Sequence, residues 1–318
     1  MPPLVSVCVP VYNTSRFLEQ CLESLFNQTI ADKCEFIIVN DCSTDNSMEI
    51  LQNVSGKHKN LSIQIISHEH NRGLAAARNT ALNASTGKYC LNIDSDDCCE
   101  LNYAEELLNI AEKENADIVN TFFDFTPIQS YDYIKGLLNH EFYVTIWSRL
   151  IKRDLFLENN LKWVEGINVG EDVIISCKLF YFAKKVINTP IKLYHYRQDI
   201  GFATKLKKIK WLDQKQKEFS ELDRFFNEQN CYDSYKDILD LRKAELRFDY
   251  IKASATFSRK KYKDYYPDLK LKILLDKRAD FNSAKTKFFI NAIDSQRYLT
   301  ANFLLFFYKM TQLSKIIS

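Results

Sequence analysis

Four short apolar runs alternate with amphipathic stretches in the first hundred residues of the chain. The runs are rich in β-branched and aromatic side chains, and they lie at residues 4–9, 35–40, 61–67 and 89–93. Between them, apolar residues recur at helical spacing, as in residues 15–26 and in the alanine-rich stretch 74–84. Strands that alternate with helices of about ten to fifteen residues are typical of a parallel sheet with right-handed crossovers. The pattern therefore predicts an α/β fold with a mostly parallel sheet and flanking helices.

The pattern becomes mixed between residues 100 and 200. Helical spacing and β-rich runs predict helices at 100–115 and 171–183, a strand at 116–125, and one or two strands within 186–196. Residues 129–140 are polar and aromatic, and we expect a loop there. Residues 144–157 fit either a strand followed by a helix or one amphipathic helix.

Beyond about residue 205 the strand signal ends. Apolar residues at helical spacing predict helices at residues 211–227, 232–257, 269–277 and 283–307. A soft boundary near residues 200–208 therefore separates an expected domain of residues 1–205 from a helical C-terminal region of residues 206–318.

Cysteine usage and hydropathy indicate the compartment. The nine cysteines include no Cys-x-x-Cys pair, and an odd count without metal spacing is typical of reduced cytosolic thiols. The first residues, MPPLVSVCVP, have no basic start and no long apolar core, so we expect no secretory signal. No apolar run approaches the roughly 20 residues of a membrane-spanning helix. These features predict a cytoplasmic protein.

The net charge of +2 is unevenly distributed along the chain. Residues 1–200 hold 18 basic and 26 acidic side chains, a net charge of −8, whereas residues 201–318 hold 25 and 15, a net charge of +10. An acidic front half suits a metal site, and a basic back half suits an anionic partner such as a membrane surface or a diphosphate. A solvated, lysine-rich helical face explains the basic half equally well. No nucleic-acid-binding motif is recognised, so nucleic acid is not an expected partner.

Three carboxylates end the fourth apolar run. Asp94, Asp96 and Asp97 follow directly after it, at the C-terminal end of a predicted parallel strand. They would repel one another unless a cation or a donor-rich ligand lay between them. Asp94-Ser95-Asp96 therefore predicts a hard-cation site that holds Mg²⁺ or Mn²⁺ together with a phosphate group. The alternative is that Asp96 and Asp97 only cap the helix that follows.

Four sequence blocks stand in a recognisable order and spacing. They are VSVCVPVYN near the start of the chain, EFIIVNDCSTD, NRGLAAARN and DSDD. This run resembles the nucleotide-sugar half of the family 2 glycosyltransferases, which are inverting enzymes of the GT-A fold. The resemblance covers residues 4–100 nearly without gaps and recurs in blocks up to about residue 205. It implies a Rossmann-like GT-A domain that binds a nucleotide sugar and catalyses its transfer, followed by a helical C-terminal region.

The resemblance implies a donor site for a UDP-sugar. The residues that it assigns to this site are Pro10, Tyr12, Asn13, Asp41, Gly73, Arg78, Asp94, Ser95, Asp96 and Arg197. Tyr12, with Pro10 beside it, would stack on the uracil ring, and Asp41 would accept the N–H of that ring. Asp94 is similar to the acid that holds the ribose, and Asp96 is similar to the acid that binds the metal on the diphosphate.

Glycine and basic positions complete the implied donor site. Arg78 matches a family arginine near the base, and Gly73 allows a close approach of the backbone. Arg197 stands in the block LYHYRQ, which is similar to a Tyr-x-Tyr-Arg strand of the family, and it would neutralise the departing diphosphate. His195 in the same block is a candidate third metal ligand, although a lone histidine is more often a structural hydrogen-bonding residue.

The block NVGEDV resembles the Gly-Glu-Asp element with which the family begins its acceptor-side helix. It implies that Asp172 is the general base for the acceptor hydroxyl and that Glu171 either positions the acceptor or bonds the backbone. The alternative is a helix start at which acids are favoured by the helix dipole. Trp147 and Arg149 match a Trp-x-Lys-Leu element on the acceptor side, with Trp147 either stacking on a sugar or packing in the core.

Together these expectations describe a metal-dependent inverting hexosyl- or N-acetylhexosaminyltransferase that uses a UDP-sugar with Mn²⁺ or Mg²⁺. The expected acceptors are glycans of a capsule, of lipopolysaccharide or of an undecaprenyl-diphosphate-linked oligosaccharide. The basic C-terminal region would then make a peripheral contact with the inner face of the cytoplasmic membrane. One alternative is a non-catalytic sugar-nucleotide- or glycan-binding protein of the same fold. The other is a sugar nucleotidyltransferase, which would require a glycine-rich phosphate loop after the first strand.

Overall fold

The structure is a computed structural model that describes residues 2–122, 131–197, 208–253, 264–281 and 283–304. The chain divides into two compact units, Met1–Lys205 and Leu206–Ser318.

The first unit is built on a seven-stranded sheet in the order β3-β2-β1-β4-β7-β6-β8. Its strands are β1 (Val5–Val11), β2 (Cys34–Asn40), β3 (Ser62–Ser67), β4 (Tyr89–Asn92), β6 (Ile118–Asn120), β7 (Arg149–Lys152) and β8 (Val186–Asn188). β1 pairs in parallel with both β2 and β4, and β2 pairs in parallel with β3. β7 runs antiparallel to β4 and β6, while β8 is parallel to β6. The predicted α/β class and the mostly parallel sheet are therefore confirmed.

Helices cover both faces of this sheet and carry the chain from one strand to the next. They are α1 (Ser15–Phe26), α2 (Ser47–Lys57), α3 (Leu74–Ala84), α4 (Tyr103–Glu114), α5 (Tyr133–Leu138), α6 (Arg153–Glu158) and α7 (Glu171–Phe182). In α1 the apolar positions Leu18, Leu22 and Leu25 lie on one face and are buried in the core beneath β1 and β2. A separate two-stranded sheet pairs β5 (Cys98–Cys99) with β9 (Tyr194–His195) in antiparallel register.

Two sequence expectations for the first unit need correction, and in a third stretch the structure selects the strand followed by a helix from the two alternatives. The expected loop at 129–140 contains helix α5, because the Asp132 side chain accepts hydrogen bonds from the Ile134 and Lys135 N–H groups and so caps the helix start. Six residues are too few for a clear helical period, which is why the pattern missed it. The expected strand at 116–125 is shortened to β6, and its last residues, from 123 onward, lie outside the described part. In the ambiguous stretch 144–157, a short 3₁₀ turn (Ile146–Ser148) leads into β7 and then α6.

Helices joined by turns make up the described residues of the second unit. Its helices are α8 (Lys208–Glu228), α9 (Tyr232–Ala253), α10 (Lys272–Lys277) and α11 (Ala284–Asp294), with a 3₁₀ turn at Ala279–Phe281. The helix expected at 283–307 is interrupted after Asp294 by a turn, and helical structure resumes at residues 298–304. Its remainder, with the basic run 259–263, lies outside the described residues. Among the helices that can be described, none is both long and apolar enough to cross a membrane.

Candidate functional site

The carboxyl ends of three neighbouring strands bring most of the predicted donor residues to one edge of the sheet. Tyr12 and Asn13 follow β1, Asp41 follows β2, and residues 94–97 follow β4. Because β1, β2 and β4 are parallel neighbours, the three loops that follow them begin at the same edge of the sheet.

Asp41 organises the loop that leads into α3. Its Oδ1 accepts hydrogen bonds from the Arg72 N–H at 2.8 Å and from His68 Nδ1 at 2.6 Å, and its Oδ2 accepts one from the Gly73 N–H at 2.7 Å. Each carboxylate oxygen has two lone pairs, so Oδ2 retains one acceptor position. The carboxylate is 2% exposed, so any ligand group that reaches it must enter the loop.

Gly73 lies in this loop with φ of +88°, a backbone conformation that is strained for any residue with a Cβ. A Cβ there would also lie 3.0 Å from the Asn168 Oδ1. The glycine therefore permits a close approach between the start of α3 and the segment that precedes α7.

The β1 loop presents one aromatic ring to solvent. Tyr12 is 46% exposed, whereas Pro10 is buried inside β1, beyond the residues at which β1 pairs with β4. Asn13 has φ of +53°, and its side chain accepts a hydrogen bond from the Thr44 N–H at 2.7 Å. This bond ties the β1 loop to the β2 loop and leaves the Tyr12 ring accessible to a ligand.

The acid run after β4 divides into one structural carboxylate and two that face the site. Asp97 is buried and accepts hydrogen bonds from the Tyr194 hydroxyl at 2.7 Å and from the Arg197 N–H at 2.8 Å. Burial raises the pKa of Asp97 to about 7, and these two donors oppose the shift. Ser95 is also buried and hydrogen-bonds the Thr14 hydroxyl at 3.1 Å, which fixes the turn between Asp94 and Asp96.

Asp96 is half-buried, and within the described parts of the chain no other residue donates a hydrogen bond to its carboxylate. Burial raises the pKa of Asp96, and its own backbone N–H and the nearby charge of Arg197 oppose this. The Asp96 carboxylate oxygens are therefore available as ligands.

Arg78 is the centre of a buried charge cluster. Its guanidinium is 1% exposed and contacts Asp94 Oδ1 at 3.0 Å, Glu171 Oε1 at 3.3 Å and Asp172 Oδ1 at 2.5 Å. Three carboxylates thus share one cation, and its Nε finds no hydrogen-bond partner among the residues that the structure describes. The structure therefore shows Arg78 in contact with the acids of both halves of the site, and its position near the nucleobase stays a prediction.

The two acids of the NVGEDV block lie in the first turn of α7, where the helix N-terminus favours negative charge. Asp172 Oδ2 accepts a hydrogen bond from the Ile146 N–H at 3.0 Å, in addition to the contact of its Oδ1 with Arg78. Both donors fix the orientation of the carboxylate. Burial and the neighbouring Asp172 charge raise the pKa of Glu171 to about 7, and Arg78 opposes the shift.

Arg149 is also buried, and it holds the turn that binds Asp172. Its guanidinium donates hydrogen bonds to the carbonyls of Tyr143 at 2.6 Å and of Thr145 at 2.5 Å. Burial lowers the pKa of Arg149 to about 10. Because the side chain is 1% exposed, the expectation that it contacts the acceptor is corrected: it supports the backbone that presents the Ile146 N–H.

Trp147 is likewise 1% exposed, so its expected contact with a sugar is corrected to a packing role. Its ring stacks on Tyr194, with centroids 4.2 Å apart and an interplanar angle of 4°. The faces that this aromatic group presents to solvent belong to Tyr143 and Tyr196, which are 50% and 54% exposed.

Arg197 and His195 of the LYHYRQ block lie in different surroundings. The Arg197 guanidinium lies over the Phe17 ring at 4.9 Å and donates a hydrogen bond to the Gln20 side chain, and its charge acts on Asp96. The His195 Nε2 lies 2.6 Å from Glu100 Oε1 at the surface, because alternation along β9 turns His195 away from the face on which Tyr194 reaches Asp97.

The structure therefore does not bring His195 to Asp94 and Asp96. Within the described ranges, no three His, Cys, Asp or Glu side chains converge into a group that would hold a metal by themselves. The expectation of a three-residue ligand set is corrected accordingly.

Sequence reasoning missed two side chains that hold the site together. Asn79 donates its amide N–H to the Trp163 carbonyl at 2.9 Å and accepts the Trp163 N–H at 2.9 Å, which joins α3 to the segment before α7. Tyr194 links Asp97 to the Asp94 N–H through its hydroxyl. Asn79 stands next to Arg78 in the NRGLAAARN block, so the block itself was a signal, but its partner lies 84 residues further along the chain.

Comparison with known proteins shows a clear similarity. The family model described as Glycosyl transferase family 2 matches residues 6–181. The uncharacterized glycosyltransferase EpsJ of Bacillus subtilis (strain 168) is 31% identical over 261 residues, which cover 76% of this chain and 75% of that protein.

Solved structures agree with this similarity at the level of the fold. S. aureus TarS 1–349 in complex with UDP-GlcNAc has a TM-score of 0.62 at 16% identity, covering 97% of this chain and 92% of that chain. The mannosyltransferase PcManGT from Pyrobaculum calidifontis, in complex with GDP-Man and Mn²⁺, has a TM-score of 0.56 at 18% identity, covering 95% and 86%. At these identities the likeness establishes the fold alone.

Proposed function

This chain belongs to glycosyl transferase family 2 and has the GT-A fold, and on that premise we propose that it moves a sugar from a UDP-sugar to a glycan acceptor, with inversion. The observation that carries the proposal is the cluster around Arg78. The acid assigned to the donor, Asp94, and the acid assigned as base, Asp172, contact the same buried guanidinium. The groups that would act on the donor and on the acceptor are thereby held close together, as a single displacement requires.

The β1 and β2 loops suit a uridine. The half-exposed Tyr12 ring offers a flat apolar face for stacking, and Asp41 Oδ2 retains one acceptor position for a ring N–H. A neighbour of the same fold, TarS, was solved with UDP-GlcNAc, which supports a UDP-sugar as donor. The donor sugar itself is one of the hexoses or N-acetylhexosamines.

A divalent cation, Mn²⁺ or Mg²⁺, fits the acid run after β4. Among the described residues, the Asp96 carboxylate has no donor other than its own N–H, and Arg78 donates to Asp94 through Oδ1 alone. Mg²⁺ commonly binds through one or two carboxylates together with substrate phosphates, so a larger protein ligand set is not required. Bound there, the metal would neutralise the charge that develops on the diphosphate. PcManGT was solved with Mn²⁺, which supports this assignment.

Asp172 is the proposed base. It takes the proton of the acceptor hydroxyl while that oxygen forms a bond to the anomeric carbon from the face opposite the diphosphate. The bond between the anomeric carbon and the diphosphate oxygen breaks, and its electron pair leaves with UDP. Arg197, whose charge already acts on Asp96, stabilises the departing anion, and Glu171 positions the acceptor beside the base.

The proposed acceptor is a bacterial surface or lipid-linked glycan, for which the basic region after residue 205 would provide contact with anionic lipid. The membrane contact is a separate proposal from the transfer reaction, because the two lie in different units of the chain.

The test is UDP release from a panel of UDP-sugars, with GDP-mannose as a nucleotide control, in Mn²⁺ or Mg²⁺ and after addition of EDTA. Slow hydrolysis of the donor by water makes the assay independent of the acceptor. Asp96→Ala and Asp172→Asn are compared with Glu112→Gln, which removes a carboxylate charge from α4, where Glu112 binds Lys88 at 2.6 Å.

Turnover of one UDP-sugar that is abolished by EDTA and by Asp96→Ala, and reduced at least a hundredfold by Asp172→Asn, supports the proposal. Glu112→Gln should retain the activity of the unaltered protein. Calorimetry that detects no UDP binding in the presence of either metal would refute the assignment of a UDP-sugar donor.

A further inference from the structure

Two half-exposed tyrosines are anchored on one buried tryptophan. The Tyr143 and Tyr196 rings lie 5.6 Å and 5.9 Å from the Trp147 ring centroid, and the Tyr196 ring is within 15° of parallel to it. Phe122 supports Tyr143 from another side at 5.3 Å. Rings packed in this way keep one face in solvent without the freedom of an isolated surface tyrosine, so little entropy is lost when a ligand covers them.

The two tyrosines belong to the segments that hold the base and the donor acids. The Tyr143 carbonyl accepts a hydrogen bond from Arg149, in the turn whose Ile146 N–H binds Asp172. Tyr196 precedes Arg197, whose N–H binds Asp97. The charges of Asp97, Asp96 and Asp94 all reach the Tyr196 hydroxyl, and together with burial they raise its pKa.

We propose that Tyr143 and Tyr196 form an acceptor platform, on which a pyranose ring of the acceptor saccharide stacks so that its hydroxyl is delivered to Asp172. This inference rests on the proposed function and extends it to the acceptor. Each ring lies within 6 Å of Trp147, so the two centroids are less than about 12 Å apart and together serve one sugar ring or a disaccharide.

The chemistry of the platform matches that of a sugar. A pyranose has an apolar face of C–H bonds that packs on an aromatic ring and an equatorial edge of hydroxyls that hydrogen-bond to carboxylates. The proposed uridine surface, Tyr12, belongs to the β1 loop and is separate from this group. The turn at residues 143–146 holds the base, which is the group that must meet the acceptor.

The platform is tested with simple sugars, since the natural acceptor is unidentified. The probes are the methyl α- and β-pyranosides of glucose, galactose, mannose and N-acetylglucosamine, added to the full-length protein with the UDP-sugar that it hydrolyses. The variants are Tyr143→Ala, Tyr196→Ala and Tyr196→Phe. Leu157→Ala is the control, because Leu157 is equally exposed, at 50%, and lies on α6.

We expect at least one glycoside to raise UDP release above the rate of hydrolysis. Each alanine variant should raise the KM for that glycoside about five- to tenfold, as expected for the loss of one aromatic stacking contact. The KM for the glycoside should rise more than the KM for the UDP-sugar, Leu157→Ala should change neither, and Tyr196→Phe, which keeps the ring, should retain most of the glycoside affinity.

Three results would overturn the platform: no glycoside that stimulates the unaltered protein, a glycoside KM that neither alanine variant changes, or a change in the KM for the UDP-sugar alone. If the unaltered protein hydrolyses no donor, the platform is tested by binding, independently of turnover. The same glycosides are titrated against Trp147 fluorescence in a protein carrying Trp163→Phe and Trp211→Phe. A saturable signal that is lost in Tyr196→Ala supports the platform, and no saturable signal refutes it.

Discussion

Replacement of Glu171 by glutamine should make this protein more stable at alkaline pH. Glu171 is one of three carboxylates that share the Arg78 guanidinium, and it is 8% exposed. Burial, and then the Asp172 charge, raise its pKa from an ordinary 4.5 to about 7. Glutamine has nearly the same shape and keeps an oxygen for the 3.3 Å contact with Arg78, but it removes the charge.

The magnitude follows from the difference between the folded and unfolded pKa values. Because the folded state binds the Glu171 proton more tightly, its stabilising contribution is complete below pH 4.5 and is lost as the pH rises through 7. Ionisation of Glu171 then costs the folded protein roughly 3 kcal/mol at pH 8 and roughly 1 kcal/mol at pH 5. Glu171→Gln should therefore raise the free energy of unfolding by about these amounts at the two pH values.

Urea unfolding at pH 5, 6, 7 and 8 measures this difference. Tryptophan fluorescence reports on the first unit alone in a Trp211→Phe background, because Trp147 and Trp163 both lie in that unit. Glu112→Gln is a matched control of opposite sign. The bond to Lys88 lowers the pKa of Glu112, so its replacement should slightly destabilise the protein at pH 8.

Two results would refute the reasoning. A gain in stability that is equal at pH 5 and pH 8 would show that glutamine acts through packing and that Glu171 does not titrate in this range. A loss of stability at pH 8 would show that the ionised Glu171 is a required partner of Arg78, and the cluster would then hold its full negative charge at neutral pH.

Two further substitutions probe the backbone of the site. Gly73→Ala, which strains a φ of +88° and places a Cβ 3.0 Å from Asn168, should lower the free energy of unfolding by about 1–2 kcal/mol and weaken UDP binding in calorimetry. In the control Gly56→Ala, in α2, the added Cβ meets no atom of another described segment within 4 Å. This control should instead stabilise the protein by about 0.5–1 kcal/mol, and equal effects of the two substitutions would contradict the strain argument. Arg149→Met removes charged hydrogen bonds, which destabilises the protein, but it also removes a buried charge. Burial lowers the pKa of Arg149 from 12.5 to about 10, which corresponds to a cost of roughly 3 kcal/mol for burying that charge. The net loss of stability should therefore be smaller than the lost hydrogen bonds alone would give. The substitution should nevertheless reduce UDP release at least tenfold by freeing the turn that holds Asp172, and an unchanged rate would contradict this role.

The local sequence determined the parallel half of the sheet and the places where its loops end. Runs such as residues 35–40 are apolar on both faces, which suits a strand buried between two layers of helix, and the polar residues that follow mark its end. Those signals depend on residues a few positions apart, so the periodicity of apolar residues is enough to predict the strands. The family resemblance placed the acids at the carboxyl edge for the same reason, because motif and strand end are adjacent in the chain. Helix α5 was not predicted because its six residues are too few to show a helical period; the Asp132 cap and burial stabilise it.

Only the tertiary structure decided which side chains face a ligand. Arg78 meets Asp94 across 16 residues and Asp172 across 94, and no local pattern reports that three acids share one guanidinium. Tryptophan and arginine are residue types that suit a sugar site, yet Trp147 and Arg149 are both buried. The exposed rings near them belong to Tyr143 and Tyr196. Burial is a property of everything that packs around a side chain, including strands and turns far away in sequence. It therefore separates the residues that hold the site from those that touch what binds there.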